Sequence, residues 1–465
     1  MQWAVLAIFA VLAIFYAASA VHRYETSHLY GDEPDYYFIG ESLWNDGDLD
    51  LRNEYLSPHP SVFPGPLVFK VGPEGTPAPA NYMPTTGALI IGPLDAIGGP
   101  LLVELVFAAM NVLSLWLLYL VVRRMTGRLP AGVTVGLVGL SVPLAWHAAS
   151  VWTEIPALLC VSAVLAIAPH LRRGAWIAAT GIGLLLGFLP FLHQKYAVLA
   201  LGLAAALLIA SARRWAWPVL AGLPVVGIAG TMVMSYALRG RINFTQAGET
   251  AAVGAAFNES IDRFIGQPFA WFLDLTRGYV PLAPIWIVAI AGIIVLLRSS
   301  TGRRLLGTLL VAVGPFLVIY WFGPFLAGDA PPGRETLPVL PVLVIAMGAG
   351  IAALRGVVAP LITTLLAIPS VIIGVWTPIG INQDLMYNNV GEPKLLAHIS
   401  RYRFDLTDLW PRITTGPYWS YSRTIVMATL VLAIAAVLVL LSERPSLRRG
   451  DDGAMRYPDP LAVEG

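Results

Sequence analysis

The chain has 465 residues, of which 57% are hydrophobic and only 12% are charged, against roughly 25% charged residues in soluble domains. A soluble fold of this length cannot bury so much apolar surface, so the composition predicts an integral membrane protein. The formal net charge of +1 offers no basic surface for nucleic acid, and a single cysteine, Cys160, excludes an intrachain disulfide and a cysteine-based metal cluster.

The first predicted element is an apolar run over residues 1–20. Its end, Ala-Ala-Ser-Ala at 17–20, resembles the cleavage site of a secretory signal. However, the run has no basic segment before it and is longer than the usual apolar core of such a signal. We expect an uncleaved first membrane helix, with a cleaved signal as the alternative.

Further apolar runs follow that are long enough to cross a hydrocarbon core of about 30 Å at about 1.5 Å per residue. Together with the first they predict an all-α bundle of about twelve transmembrane helices. The predicted spans are 1–20, 100–122, 131–147, 152–169, 175–191, 196–211, 216–238, 281–297, 305–322, 336–354, 357–375 and 424–441.

Basic residues predict the orientation, because lysine and arginine are retained on the cytoplasmic side. About half of the 29 lysines and arginines fall in the C-terminal tail and in every second, short connection, which puts both termini in the cytoplasm. The long outer loops are then 21–99, 239–280 and 376–423, and the first two are expected to carry short amphipathic helices. We assign 1–445 to one membrane domain and 446–465 to a disordered tail.

The first outer loop contains the sharpest chemical signal. Residues 31–37 read Gly-Asp-Glu-Pro-Asp-Tyr-Tyr, about ten residues beyond the first span. Adjacent carboxylates such as Asp32 and Glu33 can divide the roles of general base and of a partner that tunes it or holds a cation. A solvated acidic loop is the alternative interpretation of the same residues.

The order of these features resembles the GT-C superfamily of integral membrane glycosyltransferases. This superfamily includes protein O-mannosyltransferases, the aminoarabinose transferase acting on lipid A, and mycobacterial mannosyl- and arabinosyltransferases. Its members place an Asp, often Asp-Glu followed by an aromatic residue, in the first outer loop. Individually weak but consistently ordered matches extend over most of residues 1–340: Glu-Ser-Leu-Trp at 41–44, Asn-Tyr-Met-Pro-Thr-Thr-Gly at 81–87, Trp-Thr-Glu-Ile-Pro-Ala at 152–157, 274–284, and Gly-Arg-Glu-Thr-Leu-Pro at 333–338.

The resemblance implies an inverting transfer of a sugar from a polyprenyl-phosphate carrier to an acceptor on the outer face. Inversion requires one base that deprotonates the acceptor hydroxyl. Asp32 is the candidate base and Glu33 its orienting partner. Tyr36 or Tyr37 matches the family's aromatic residue after Asp-Glu, and Tyr82 lies in a segment that resembles its Tyr-Pro-x-x-x-Gly motif; all three are candidates for binding substrate.

The leaving lipid phosphate calls for cations on the same side. Four basic residues are candidates for binding it: Lys195, His193, Arg334 and Arg277. Lys195 is equally well explained as a snorkelling side chain beside an interfacial tyrosine, and Arg334 as an ordinary loop charge. Glu154, at the start of a span, either binds substrate or interacts favourably with the helix dipole.

No cofactor is expected to be required, and a divalent cation at Glu33 is left open. Asp46, Asp48 and Asp50 alternate as in a calcium loop, but Leu51 and Ser57 occupy the positions where that loop needs Gly and Glu. A turn explains them better.

Two other classes of protein compete with the enzyme. A lipid or solute transporter would also have a dozen helices, but transporters need ionisable residues near the membrane midplane, and the predicted spans contain Glu104 and very little else that is charged. A noncatalytic assembly or sensor subunit would not need paired carboxylates. High Ala, Leu, Val, Gly and Arg usage is compatible with a GC-rich bacterium, so we expect a bacterial plasma membrane. In such a bacterium mannose or arabinofuranose is the expected sugar, and a cell-envelope lipid, glycan or protein the expected acceptor.

Overall fold

A computed structural model describes most of the apolar part of the chain. The described residues are 2–26, 29, 32–48, 51, 53–54, 87–148, 150–173, 175–210, 214–239, 269–275, 278–322, 332–380, 394–400, 410–411 and 421–442. Within them the structure is built from helices and contains no β-strand. The helices are α1 (Gln2–Thr26), α2 (Glu33–Glu41), α3 (Gly92–Thr126), α4 (Arg128–Gly139), α5 (Glu154–Ile167), α6 (Trp176–Leu192), α7 (Tyr196–Ala210), α8 (Trp217–Arg239), α9 (Ile287–Leu297), α10 (Ser300–Phe322), α11 (Leu340–Ala353), α12 (Val358–Gly380), α13 (Lys394–Ser400) and α14 (Tyr421–Leu441).

Short π-helical and 3₁₀-helical turns precede or follow several of these helices. They are the π-turns Ser42–Asp46 and Gly87–Ile91 and the 3₁₀ turns Leu144–His147, Ala168–Arg173, Arg214–Ala216, Pro284–Trp286 and Arg334–Val339.

Each of the twelve predicted spans coincides with a helix, but not all of these helices are equally long. Eight helical segments in the described part of the chain are long and apolar enough to cross a membrane, and they contain α1, α3, α5, α8, α10, α11, α12 and α14. The helices α6, α7 and α9 are apolar but shorter, and α4 has only 12 residues. An all-α membrane protein is therefore confirmed, whereas twelve crossings stay a prediction.

Two predicted boundaries illustrate what breaks a helix. The predicted span 131–147 is helical only as far as Gly139, since Pro143 lacks the N–H that a continuing helix needs. The predicted span 100–122 begins correctly at Pro100, because Gly99 has a φ of 69° and separates a short helical segment before it from the long one after it.

Glycines set the closest helix crossings. A Cβ on Gly292 of α9 would strike the backbone oxygen of Ala346 on α11, and one on Gly227 of α8 would strike the backbone of Gly187 on α6. Small residues at such crossings let membrane helices approach until their backbones touch. These contacts fix the lateral order of the bundle.

The two most buried spans lie at the centre of the bundle. In the spans that contain α5 and α11, 72% and 78% of the residues in the most apolar window are buried, against 22% for α8 and α12. The outer helices instead expose large apolar side chains, for example Trp3 and Ile177, as expected of surfaces that face lipid. The central helices α5 and α11 begin at the same end of the bundle, and that end holds the candidate site.

Of the three predicted outer loops, parts are described. The first contains α2, the π-turn after it and the start of α3; the third contains α13. Residues 55–86, 240–268 and 443–465, and with them most of the second loop and the predicted tail, lie outside the described residues.

Candidate active site

Four charged side chains meet at one end of the bundle, each contributed by the end of a different element. Asp32 lies immediately before α2, Glu154 is the first residue of α5, Lys195 lies between α6 and α7, and Arg334 begins the 3₁₀ turn that leads into α11. Lys195 Nζ is 2.7 Å from Glu154 Oε1, Arg334 Nε is 3.5 Å from the same oxygen, and Arg334 Nη2 donates to Asp32 Oδ2 at 3.0 Å. A continuous chain of alternating charges results.

Glu154 lies in the middle of this chain of charges and is fully buried. The Thr153 hydroxyl donates to its second oxygen at 3.2 Å. The positive end of the α5 dipole adds to the stabilisation of a carboxylate at this position. A buried carboxylate needs such partners to remain ionised, so Glu154 serves to hold Lys195 and Arg334 side by side.

Gly333 determines where Arg334 points. Its φ of 78° is in the left-handed region, and a Cβ at this position would lie 2.8 Å from Pro143 and clash with the Tyr279 ring. The Tyr279 hydroxyl also hydrogen-bonds the Thr336 hydroxyl, which anchors the same turn. Glycine is therefore the residue that this approach permits.

An aromatic wall supports the arginine. The Arg334 guanidinium carbon lies 3.4 Å from the centroid of Trp152, which is fully buried, and Tyr36 packs edge-on against the same indole with centroids 6.3 Å apart. Burial raises the pKa of Tyr36 well above its usual range, so its phenol stays neutral. Arg334 thus has one face on the indole and one edge towards the carboxylates.

Glu33 is fully buried and engages groups other than the four-residue cluster. It pairs with Arg23 near the end of α1, and its Oε1 accepts the Val151 N–H at 2.6 Å. These contacts join α1, α2 and the segment that carries Trp152. Glu33 therefore holds α2, which follows Asp32, against α1 and the segment that carries Trp152. The predicted role of Glu33, as the orienting partner of Asp32, stays a prediction.

Two histidines at the site are neutral. Burial and the charge of Lys195 lower the pKa of His193 to about 3, and burial lowers that of His147 to about 4. His193 Nδ1 accepts the Lys195 backbone N–H at 3.2 Å, which leaves its proton on Nε2. His193 can therefore offer a phosphate a neutral hydrogen bond but no positive charge.

The structure describes one of the three remaining predicted site residues, and this one packs elsewhere. Tyr37 is fully buried, and its hydroxyl is 3.5 Å from the Pro100 carbonyl oxygen, so it packs against the start of the long part of α3. Tyr82 and Arg277 lie outside the described residues. No group of three or more potential metal ligands occurs in the described part of the chain, and both oxygens of Glu33 already have protein donors.

Two contributors were not among the predicted site residues. Trp152 entered the sequence analysis only as part of the motif at 152–157. A tryptophan two residues before a glutamate at a helix start is the sequence signal that indicates an aromatic contact at this site. Arg23 lies in no motif of the sequence analysis, and its pairing with Glu33 depends on the packing of α1 against α2.

The arrangement has a definite chemical capacity. Asp32 retains 32% exposure of its side chain, while Arg334 and Lys195 retain 14% and 18%. A ligand can therefore reach a carboxylate and two adjacent cations from one side. Such a constellation suits proton abstraction beside a phosphate leaving group.

Comparisons with known proteins give a distant likeness. No protein-family model matches the chain, and no curated protein matches it. Among solved structures, the archaeal oligosaccharyltransferase AglB from Archaeoglobus fulgidus, in complex with an inhibitory peptide and a dolichol-phosphate, is similar with 14% identity and a TM-score of 0.46, over 81% of this chain and 56% of that one. The apo form of the oligosaccharyltransferase from the same organism is similar with 12% identity and a TM-score of 0.41, over 94% of this chain and 55% of that one. The chain thus spans little more than half the length of these proteins.

Proposed function

We propose that the chain is an inverting membrane glycosyltransferase that moves a sugar from a polyprenyl-phosphate carrier to an acceptor hydroxyl at the outer membrane face. The observation that carries this proposal is the cluster of Asp32, Arg334, Glu154 and Lys195. It combines a ligand-accessible carboxylate with two cations that a buried glutamate keeps together. The motif resemblance of residues 1–340 to the GT-C superfamily supports the same reaction.

The roles follow from the geometry. Asp32 takes the proton of the acceptor hydroxyl while the acceptor oxygen attacks the anomeric carbon. The bond between that carbon and the phosphate oxygen breaks on the opposite face, and polyprenyl phosphate leaves. Arg334 and Lys195 stabilise the charge that develops on the phosphate, with His193 as a neutral donor. Tyr36 and Trp152 form the wall beside the base.

The membrane setting supports a lipid-linked donor. The four charged residues lie at helix ends on one side of the bundle, where a carrier phosphate at the surface would meet them and its prenyl chain would lie between helices. With the amino terminus in the cytoplasm, this is the outer face of a bacterial plasma membrane, and both termini are cytoplasmic. Mannose or arabinofuranose is the favoured sugar, and a cell-envelope lipid, glycan or protein the acceptor. No cofactor enters this scheme, and a divalent cation at Glu33 would have to displace Arg23.

A lipid or solute transporter is the second candidate, and one observation favours it. Glu104 lies within the α3 span and is 4% exposed, and ionisable residues inside membrane spans commonly mark transport pathways. The cluster at the helix ends has no obvious use in such a pathway. We therefore rank the transferase first.

The decisive experiment uses the full chain in lipid nanodiscs with a panel of polyprenyl-phosphate sugars and mass spectrometry of the products. We expect hydrolysis or transfer with at least one donor and a loss of about 10²–10⁴-fold in turnover for Asp32→Asn. The control is Asp46→Asn, which changes an exposed carboxylate of the same loop and should leave turnover unchanged. Full activity of Asp32→Asn removes Asp32 as the base, and no turnover with any donor favours transport.

A further inference from the structure

The Arg334 guanidinium is shared between two carboxylates of very different surroundings. Its Nε faces Glu154, which is fully buried and also bonded to Lys195, whereas its Nη2 donates to Asp32, which is about one-third exposed. The contact with Glu154 is an ion pair at 3.5 Å without a hydrogen bond, and it lies inside the protein. The bond to Asp32 lies where a ligand can reach it.

An incoming phosphate would compete for the exposed bond first. Guanidinium binds phosphate and carboxylate oxygens with the same edge and the same geometry. A phosphate and Asp32 on neighbouring nitrogens would repel each other at short range, because both are anions in a partly desolvated cleft. Glu154 keeps its partners in either case, so the exchange leaves the buried pair intact.

We infer that the carrier phosphate displaces Asp32 from Nη2 of Arg334, so that donor binding releases the base, and that Trp152 is the positioning residue that holds the guanidinium in place during the exchange. This inference rests on the proposed function. Before the donor binds, Asp32 Oδ2 accepts a hydrogen bond from the Arg334 cation, which lowers the basicity of the carboxylate. After it binds, Asp32 has lost this bond and is a stronger base for the acceptor's proton.

Trp152 suits this positioning role because it is itself fixed. Its indole is fully buried and is packed by the edge of Tyr36. The contact with Arg334, at 3.4 Å from Cζ to the ring centroid, covers one face of the guanidinium and leaves its N–H edge uncovered. Arg334 can therefore exchange one anion for another at Nη2 while it stays on the indole.

The test is a double-mutant cycle on the affinity for farnesyl phosphate, a short polyprenyl phosphate without a sugar, measured by calorimetry on the full chain in nanodiscs. We expect Asp32→Asn to bind farnesyl phosphate about 10-fold more tightly than wild type, within the usual range of coupling between sites, although it is inactive in transfer. In the Arg334→Gln background the same Asp32→Asn change should have no effect. Glu335→Gln, next to Arg334, serves as the control and should leave the affinity unchanged.

Each outcome separates the inference from the function it rests on. If Asp32→Asn strengthens farnesyl phosphate binding equally in the Arg334→Gln background, general repulsion between Asp32 and the phosphate explains the effect, and the exchange is overturned. An unchanged affinity of Asp32→Asn also overturns it. Absence of any binding to wild type overturns the proposed function and the exchange together. For Trp152, the cycle is repeated in Trp152→Phe and Trp152→Leu: coupling retained in the first and lost in the second supports the positioning role, and coupling unchanged in both removes it.

Discussion

Replacement of Glu154 by glutamine is the sharpest test of the charge cluster. The change removes the negative charge that lies 2.7 Å from Lys195 Nζ and 3.5 Å from Arg334 Nε, while the bond between Arg334 and Asp32 remains. Breaking a buried ion pair from one side costs about 3–5 kcal/mol. Lys195 and Arg334 keep some contact with water, and glutamine retains one acceptor oxygen, so we expect a loss of about 2–3 kcal/mol in the free energy of unfolding.

The assay is reversible denaturant unfolding in mixed micelles, with Glu154→Gln, Lys195→Met and the double variant in one cycle. If the pair is formed, the double variant loses less than the sum of the single variants, by about 1–2 kcal/mol. Glu335→Gln, a half-buried glutamate next to Arg334, should cost less than about 0.5 kcal/mol. Additive losses, or equal losses for Glu154→Gln and Glu335→Gln, would refute the assignment of Glu154 as the buried anchor.

Three further predictions concern backbone, packing and pH. Gly333→Ala should cost about 1–3 kcal/mol and lower turnover, since the left-handed φ and the 2.8 Å approach to Pro143 leave no room for a methyl group; thermal unfolding and the transfer assay check both. Gly292→Val should separate α9 from α11, because its side chain meets the Ala346 carbonyl oxygen, and size-exclusion chromatography should show loss of monodisperse protein. Burial and nearby carboxylates raise the pKa of Glu41 from 4.5 to about 7. The protonated Glu41 side chain therefore stabilises the fold at low pH, and this contribution is lost as the pH rises through about 7. Limited proteolysis of the first outer loop should be faster at pH 8 than at pH 6, and less pH-dependent in Glu41→Gln.

Helix positions were largely predictable from the sequence, because an apolar run that crosses a membrane is a local property. The error in the predicted span 131–147 was local as well: Gly139 and Pro143 end the helix, but the apolar composition around them continues. Hydropathy measures only whether a segment tolerates lipid. It does not detect where the backbone stops following the helix.

The sequence predicted the individual residues of the candidate site but not the contacts between them. Asp32 was singled out from its place beside Glu33 and from the GT-C resemblance. Lys195 and Arg334 were singled out as cations on the outer side, and Glu154 from its position at the start of a span. Their pairing was not, since each had an equally simple explanation as a surface or interfacial charge. Trp152 was missed as a contact for Arg334 because stacking depends on the orientation of two side chains from distant segments.

The predicted membrane topology explains why the pairing of Asp32 with Arg334 could be predicted in part. Asp32 and Arg334 are 302 positions apart, yet the alternation of basic connections predicts both on the outer side. That prediction reduces the cations expected to reach Asp32 to those in outer segments. The choice among them depends on lateral packing. Gly333 lets the turn before α11 approach Pro143 and Tyr279, and α5, which carries Glu154, packs against the same turn. This packing brings Arg334 onto Trp152 and its Nη2 within 3.0 Å of Asp32 Oδ2.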